Sequence, residues 1–304
     1  AHGDGGDDAG VEPMKRLCLS LAGSYYRDPY ILTLLDDPSW SVGDFWYFAD
    51  ILFLEAGLER RPLAELPRAK YFGSPMGDIV TRTGWDISRK SRDAAVHMRL
   101  GQFYFSNHHH SDFGTFQIHY RGPLAIDTGI YWGSKETCYG SPHWRNYYIR
   151  TVAHNGLLIS NPATDAETFA GQVRLDSWRM PAPDSLLGGC QLGRVVAHAI
   201  GPDPQKPEFA YVAGDITAAY PGETADSVRR SMVSLNTDID GMPLMFAVFD
   251  DVTARSADFR KTWLLHCIQE PEIHGRTATV VRDGPALHGG TYGGQLVVTS
   301  LLPE

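Results

Sequence analysis

The stretch GTFQIHYRGPLAIDTG, from Gly114 to Gly129, alternates apolar and polar residues on either side of an Arg-Gly-Pro turn. Such alternation places successive side chains on opposite faces of a strand, and Gly and Pro mark the turn between two strands. The stretch therefore predicts a pair of neighbouring antiparallel strands.

Segments of the same texture recur from about residue 70 to the end of the chain. They include DIVTRTGW, AAVHMRLGQFYF, RVVAHAIG, EFAYVAGDITAAY, RRSMVSLNT, LMFAVFDDVTA and QLVVTSLLP. About a dozen strands with short connections and no helices between them are typical of an antiparallel β-sandwich. We therefore predict a mainly β protein, with a large antiparallel β-sandwich over residues 70–304.

The segment before the sandwich has a helical pattern. Over residues 14–69 the apolar residues recur at helical spacing, as in LCLSLAGSYY and PYILTLL, with prolines between the runs. This pattern predicts two or three helices. Residues 1–13, AHGDGGDDAGVEP, are rich in Gly and Asp without periodicity, and we expect a flexible linker there.

The composition excludes some classes of protein. Of the 304 residues, 43% are hydrophobic and 21% charged, which is typical of a globular chain. No apolar run approaches the roughly 20 residues that span a bilayer, so we expect no membrane partner. The net charge of -9 argues against nucleic acid. The four cysteines form no CxxC motif and are compatible with either thiols or disulfides.

Three consecutive histidines, His108 to His110, directly precede the strand pair. If this segment is extended, His108 and His110 lie on one face and His109 on the other. Asp112 then continues the face of His110.

Two further residues are candidates to converge on His110. They are Asp127, in AIDTG, and His154, in TVAHN. Two imidazoles and a carboxylate suit Zn²⁺, which nitrogen and oxygen ligands hold in a tetrahedron. The alternative from the residues alone is that these histidines are hydrogen-bonded surface or core side chains.

A second cluster lies in YWGSKETCYGSPHWRNYYIRT, residues 131–151. It contains Tyr131, Tyr139, His143, Arg145, Tyr147, Tyr148 and Arg150. Aromatic faces, phenol hydroxyls and guanidinium groups are what binding of a polyanionic sugar requires. The alternative is a Tyr-rich β-hairpin whose hydroxyls face solvent.

These motifs occur in a characteristic order, HxHxD, then DxGxY, then RTxAHN, between Tyr71 and Pro303. In this order the chain resembles the heparinase II/III-like polysaccharide lyases, and within them heparinase II. The resemblance implies an α/α toroid followed by an antiparallel β-sandwich, with the substrate in the cleft between them. The helices of residues 14–69 then correspond to the end of the toroid.

The resemblance also implies the roles of individual residues. The zinc ligands would be His110, Asp127 and His154. The residues that line the cleft would be His108, Tyr131 and Tyr139. Apart from the resemblance, we expect His143 and Arg150 to contact anionic groups of the substrate. In this family the zinc is viewed as organising a loop of the β-domain and not as attacking the sugar.

The implied reaction is β-elimination of a uronate polysaccharide such as heparin or heparan sulfate. The family's main catalytic pair, an Asn-His segment and a Tyr, belongs to the toroid, and no matching Asn-His segment precedes residue 100. We therefore expect a C-terminal part of a lyase, with an acidic polysaccharide as substrate and the missing toroid portion or a second copy as partner. The resemblance further implies a periplasmic or secreted protein.

Three alternatives remain at this point. The chain could be a non-catalytic carbohydrate-binding β-sandwich, a lyase acting on alginate or another uronate polymer, or a metal hydrolase with an open zinc position. The products of the reaction distinguish these alternatives, because only elimination leaves an unsaturated uronate.

Overall fold

A computed structural model describes residues 13–36, 51–55, 57–88, 90–105, 108–129, 136, 139–174, 190–286 and 291–302. The predicted linker, residues 1–13, lies almost entirely outside this part of the chain. The chain divides into two compact units, one of residues Asp7–Pro67 and one that contains Arg68–Glu304.

The first unit is helical. Helix α1 spans Pro13–Tyr25 and helix α2 spans Pro29–Leu35, and a 3₁₀ turn follows at Leu63–Glu65. Helix α2 begins where its sequence predicts, because the Asp28 carboxylate accepts hydrogen bonds from the first free backbone N–H groups and proline occupies the first helical position. Within the described residues, no helix is long and apolar enough to cross a membrane.

The second unit consists mainly of strands. In chain order they are β1 (Ala69–Phe72), β2 (Asp78–Arg82), β3 (Ala94–Arg99), β4 (Phe103–Tyr104), β5 (Thr115–Tyr120), β6 (Pro123–Ala125), β7 (Leu157–Ile159), β8 (Cys190–Gln191), β9 (Arg194–Gly201), β10 (Phe209–Asp215), β11 (Ala225–Ile239), β12 (Met242–Ala254), β13 (Lys261–Trp263), β14 (Glu272–His274), β15 (Thr277–Arg282) and β16 (Gly294–Thr299). A short helix α3, Asp165–Thr168, follows β7.

Two antiparallel sheets form the body of this unit. One has the strand order β1-β2-β3-β5-β6, and the other has the order β12-β11-β10-β9. Smaller sheets pair β7 with β13 and β4 with β8, and join β14, β15 and β16. The prediction of a mainly β, antiparallel sandwich is confirmed.

The hydrophobic core lies between the two large sheets. Val96 and Met98 of β3 and Phe116 of β5 pack in the same cluster as Val212 of β10 and Met232 of β11. Strand β3 alternates strictly between buried and half-buried side chains, as its sequence predicts. The loops at the ends of β5, β6 and β7 extend from this core, and the candidate site lies there.

Candidate metal centre

Three loops bring His110, Asp127 and His154 together. His110 precedes β5, Asp127 follows β6, and His154 precedes β7. One ligand atom of each residue lies within 4.8 Å of those of the other two. The imidazole rings of His110 and His154 are 5.1 Å apart, and Nδ1 of His154 lies 2.8 Å from Oδ1 of Asp127. Among the residues that the structure describes, this is the one group of this kind.

The group is buried. His110 is 1% exposed and His154 is fully buried, and the side chain of Asp127 is 6% exposed. Burial acts to lower the pKa of His154, but the negative charge of Asp127 outweighs it and leaves the pKa above the ordinary histidine value. A buried carboxylate between two imidazoles requires a positive charge nearby, either a proton or a metal ion.

The arrangement fits a metal ion. Nε2 of His154 is buried and has no hydrogen-bond partner in the protein, while Nδ1 of the same ring lies 2.8 Å from Oδ1 of Asp127. Leaving such buried polar atoms unsatisfied costs about 1–3 kcal/mol each. Two imidazoles and one carboxylate are also a ligand set that zinc accepts.

Backbone contacts hold the Asp127 loop against the segment that leads to His154. Thr128 donates from its backbone N and its Oγ1 to the carbonyl of Ala153, at 3.1 and 2.8 Å. The N–H of Gly129 donates to Oδ1 of Asp127 at 2.8 Å. A Cβ at position 129 would collide with the carbonyl oxygen of Tyr148. The DTG sequence therefore provides both a carboxylate and the close approach that aims it.

Asn155 connects the two sides of the centre. Its Nδ2 donates to the carbonyls of Phe116 and Ile126, at 2.8 and 3.0 Å. Its Oδ1 accepts a hydrogen bond from the backbone N of His266 at 2.7 Å. Because Ile126 precedes Asp127 and Asn155 follows His154, this buried amide fixes the positions of two of the three candidate ligands.

The His110 loop is held by polar contacts of its own. The backbone N of Ser111 donates to the carbonyl of Ile149, and Thr151 donates from Oγ1 to the carbonyl of Ser111 at 2.7 Å. The side-chain amide of Gln172 exchanges two hydrogen bonds with the backbone of Phe113, at 2.9 and 2.7 Å, as a neighbouring strand would. These contacts determine where His110 can lie.

A buried arginine ties both loops to the four-stranded sheet. Arg230 of β11 is 1% exposed and forms a two-bond ion pair with Asp250 of β12, at 2.6 and 2.8 Å. Its Nη1 donates to the carbonyls of Gly114 and Asn155, at 2.6 and 3.0 Å. Charge-assisted hydrogen bonds of this kind are about twice as strong as neutral ones. Arg230 therefore holds the backbone at Gly114 and Asn155 firmly against the four-stranded sheet.

The three histidines do not lie in a strand, so the predicted alternation does not describe them. His109 accepts a hydrogen bond at Nδ1 from the backbone N of Phe105, and burial together with the charge of Arg99 lowers its pKa. His108 is exposed, and its ring lies 5.7 Å from that of Tyr139. Asp112 does not join His110 in the candidate metal-binding group, and its carboxylate lies 3.5 Å from Arg99.

The aromatic cluster is not a β-hairpin in its described part. Residues Trp144–Tyr148 form a π-helical turn, and Thr151–Ala153 form a 3₁₀ turn. Tyr139 is exposed and packs on the buried ring of Trp144, with 4.5 Å between centroids. Tyr131 lies outside the described residues.

The two predicted anion contacts have different surroundings. The ring of His143 lies 6.2 Å from that of Tyr148, which in turn contacts the ring of His110 at 5.3 Å. Arg150 donates from Nε to the carbonyl of Arg145, and its guanidinium lies over the ring of Phe169. His143 is therefore connected to the candidate metal centre through one aromatic ring.

Sequence analysis did not single out the residues that support the centre, namely Asn155, Gln172, Gly129, Arg230 and Asp250. The motif AHN contains Asn155, and the motif DTG contains Gly129. The short polar side chain of Asn155 and the absence of a side chain at Gly129 were the signals available in the sequence. Nothing local distinguishes the other three, because their role depends on which distant backbone groups they meet.

Residues 80–283 match the family model described as heparinase II/III-like, C-terminal. No curated protein matches the chain. Among solved structures, a heparinase III gene product has a similar fold, with a TM-score of 0.53 at 16% identity over 90% of this chain. The match covers 33% of that longer chain, so this chain spans about a third of its length.

At 16% identity the structural similarity concerns the fold alone, whereas the family model covers more than half of the 304 residues, including all three candidate ligands. The chain therefore belongs to the heparinase II/III-like C-terminal domain family.

Proposed function

We propose that this chain forms the zinc-bearing β-sandwich side of the active-site cleft in a polysaccharide lyase that acts on uronate-containing glycosaminoglycans. The observation that carries the proposal is the buried group of His110, Asp127 and His154 within the region that matches the family.

Zinc is the metal that we propose for this group. His110 and His154 would bind it through one imidazole nitrogen each, and Asp127 through a carboxylate oxygen. Bound zinc would supply a fixed positive charge that joins three loops, which couples the folding of those loops to the metal. Because the ligands come from three separate loops, replacement of one ligand should make the loops less ordered as well as lower the metal content.

The proposed reaction is β-elimination at a uronate. A base removes the proton at C5, the electron pair forms the C4=C5 double bond, and the C4–O bond breaks as the leaving oxygen takes up a proton. The reaction consumes no water, so it needs no metal-bound nucleophile. The uronate carboxylate must be neutralised for the C5 proton to become acidic.

On this side of the cleft we assign that assistance to His108, Tyr139 and Tyr131. His108 and Tyr139 are both exposed and adjacent, and an imidazole beside a phenol hydroxyl offers a donor for the uronate carboxylate or the leaving oxygen. His143 and Arg150 would contact carboxylate or sulfate groups further along the polymer. The main acid–base pair would belong to a toroid, supplied elsewhere in the protein or by a partner.

Heparin and heparan sulfate are the substrates that we favour, in the periplasm or outside the cell. The support is the resemblance of the sequence to heparinase II and the similarity of the fold to a heparinase III. Alginate is the next candidate, because it is also a 4-linked uronate polymer open to the same elimination.

Ultraviolet absorbance of unsaturated uronate tests the proposal directly. The chain is combined with the toroid that would supply the acid–base pair, as one protein or as its partner, and is incubated with heparin, heparan sulfate, hyaluronan and alginate, while its zinc content is measured in parallel. We expect absorbance to rise with heparin or heparan sulfate and to fall in His108→Ala while zinc is retained. Cleavage that leaves saturated ends would replace the lyase by a hydrolase. Intact polymer that nevertheless binds a zinc-loaded chain would leave a binding module and refute the catalytic assignment.

A further inference from the structure

The four-stranded sheet has a second face, directed away from the core. In β11 the buried residues Arg230 and Met232 point inward, so Arg229, Val233 and Leu235 point outward. The strand register extends this outer face across all four strands. It comprises Arg229, Ser231, Val233 and Leu235 of β11, Met245, Ala247, Phe249 and Asp251 of β12, Phe209, Tyr211, Ala213 and Asp215 of β10, and Arg194, Ala197 and Ala199 of β9.

Most of this outer face is apolar. Phe249 is 58% exposed, Met245 52% and Leu235 40%. Tyr211 and Val233 lie opposite one another in the register and form the middle of the face. Four strands at about 4.8 Å and six rises of about 3.4 Å make a surface of about 19 by 20 Å. An apolar surface of this kind at the centre of a sheet favours contact with another protein surface.

One end of the outer face carries a row of alternating charges. The register places Asp251 opposite Arg229, Arg229 opposite Asp215, and Asp215 opposite Arg194. Arg194 and Asp215 form an ion pair at 3.8 Å. Partial burial acts to raise the pKa of Asp215, but hydrogen bonds from Thr217 and the charges of Arg194 and Arg229 outweigh it and lower the pKa. The row therefore reads minus, plus, minus, plus from β12 to β9.

We infer that this outer face binds the same face of a second copy of the chain, about a two-fold axis that runs along the strands between β10 and β11. Such an axis reverses the order of the strands in the facing copy. A row that contains an even number of charges of alternating sign is complementary to the same row in reverse order. Asp251 therefore meets Arg194 of the second copy, and Arg229 meets its Asp215. The strands of two facing sheets cross at about 30°. The arginine side chains are long enough to bridge the distance that this angle creates between paired charges.

The side-chain sizes have the same complementarity. In the row next to the charges, the register runs Phe249, Ser231, Ala213, Ala197 from β12 to β9. Reversal places the large Phe249 against the small Ala197 of the second copy, and Ser231 against Ala213. In this row the large side chain at one edge therefore fills the space that the small one leaves at the other, as at packed interfaces.

The area predicts a weak dimer. Two faces of about 19 by 20 Å cover about 760 Å² in total once two copies meet, which is below the roughly 1,000 Å² of a stable specific interface and in the range of weak contacts. We therefore expect reversible dimers with a dissociation constant in the micromolar range. The inference is independent of the proposed function, because the outer face does not include any residue of the metal centre.

Sedimentation velocity over about 1 to 200 µM chain tests whether the dimer forms. Asp251→Arg places two arginines against each other at both ends of a homodimer, and Arg194→Asp does the same with two aspartates. We expect each variant alone to dimerise at least about tenfold more weakly, because like charges replace ion pairs at two symmetric contacts. Glu272→Arg, an equal charge change in β14, should dimerise as the unchanged chain does.

Mixing the two variants gives the decisive result. In a heterodimer of Asp251→Arg with Arg194→Asp, every contact between positions 251 and 194 again joins opposite charges. We expect the equimolar mixture to dimerise about as tightly as the unchanged chain, which a fault in folding of either variant cannot produce. An unchanged chain that stays monomeric, single variants that dimerise normally, or a mixture without recovery would each overturn the inference.

Discussion

Replacement of Asn155 is expected to weaken the metal centre without touching a ligand. Its buried side-chain amide makes three hydrogen bonds, to the carbonyls of Phe116 and Ile126 and from the backbone N of His266, at 2.7 to 3.0 Å. Asn155→Ala removes all three and leaves their backbone partners buried. At about 1 kcal/mol for each bond, with some added cost for the unsatisfied partners, the free energy of unfolding should fall by about 3–4 kcal/mol.

Asn155→Asp keeps the side-chain shape but buries a carboxylate, so its stability is compared with and without zinc. The shape of the side chain is nearly unchanged and Oδ1 can still accept from His266, but the two carbonyls now face an oxygen instead of an N–H donor. The Asp127 loop should therefore move away from His154. We expect the affinity for zinc to fall by about 10–100-fold, the range found when residues that orient metal ligands are lost.

The assay combines a zinc competition titration with urea unfolding in the presence of zinc and of a chelator. The variant should lose more stability with zinc than without it, because the zinc-bound state depends on the position of the loops. Asn236→Asp is the matched control, since the Asn236 amide donates to the carbonyl of Pro207 at 2.7 Å outside the three ligand loops. If Asn155→Asp binds zinc as tightly as the unchanged chain, Asn155 does not position the ligands.

Three further outcomes are expected. His110→Ala should release zinc and expose residues 139–151 to proteolysis, and an unchanged metal content would remove His110 from the ligand set. Gly129→Ala should lower the free energy of unfolding by about 1–3 kcal/mol, because its Cβ meets the carbonyl of Tyr148, whereas Gly222→Ala, which has open space around it, should have little effect. Burial raises the pKa of Tyr220 to about 12 from 10.0, so the stabilisation by its neutral hydroxyl is complete below about pH 10 and is lost as the pH rises through about 12. Between about pH 9 and 11, the free energy of unfolding measured with urea should fall by about 1 kcal/mol less in Tyr220→Phe than in the unchanged chain. An equal fall in both proteins would contradict the assignment.

Local pattern was sufficient to predict the strands but not the way they join. The alternation in AAVHMR survives in β3, where buried and half-buried side chains alternate over Ala94–Arg99. The pairing of Arg230 with Asp250, by contrast, requires the register of β11 against β12. A buried ion pair cannot be recognised in two strand segments until the opposite positions are known.

The candidate ligands were predictable for a different reason. His110, Asp127 and His154 stand in a sequence order that resembles a known family, and the structure brings them together. Strand alternation alone added Asp112 to the same face, and this failed because the segment around Ser111 is a loop. Its backbone bonds to Ile149 and not to a neighbouring strand of the sheet.

Arg230 also places a condition on the order in which the chain can fold during synthesis. Its guanidinium reaches carbonyls that lie 116 and 75 residues earlier in the chain, at Gly114 and Asn155, and it is held by Asp250. Domains generally fold as units while the ribosome releases them from the N-terminal end. The histidine-bearing loops are thus synthesised long before their anchor, and they cannot reach their final positions until the ribosome has released the chain beyond Asp250. A nascent chain arrested before that point should hold zinc weakly, although all three ligands have already emerged.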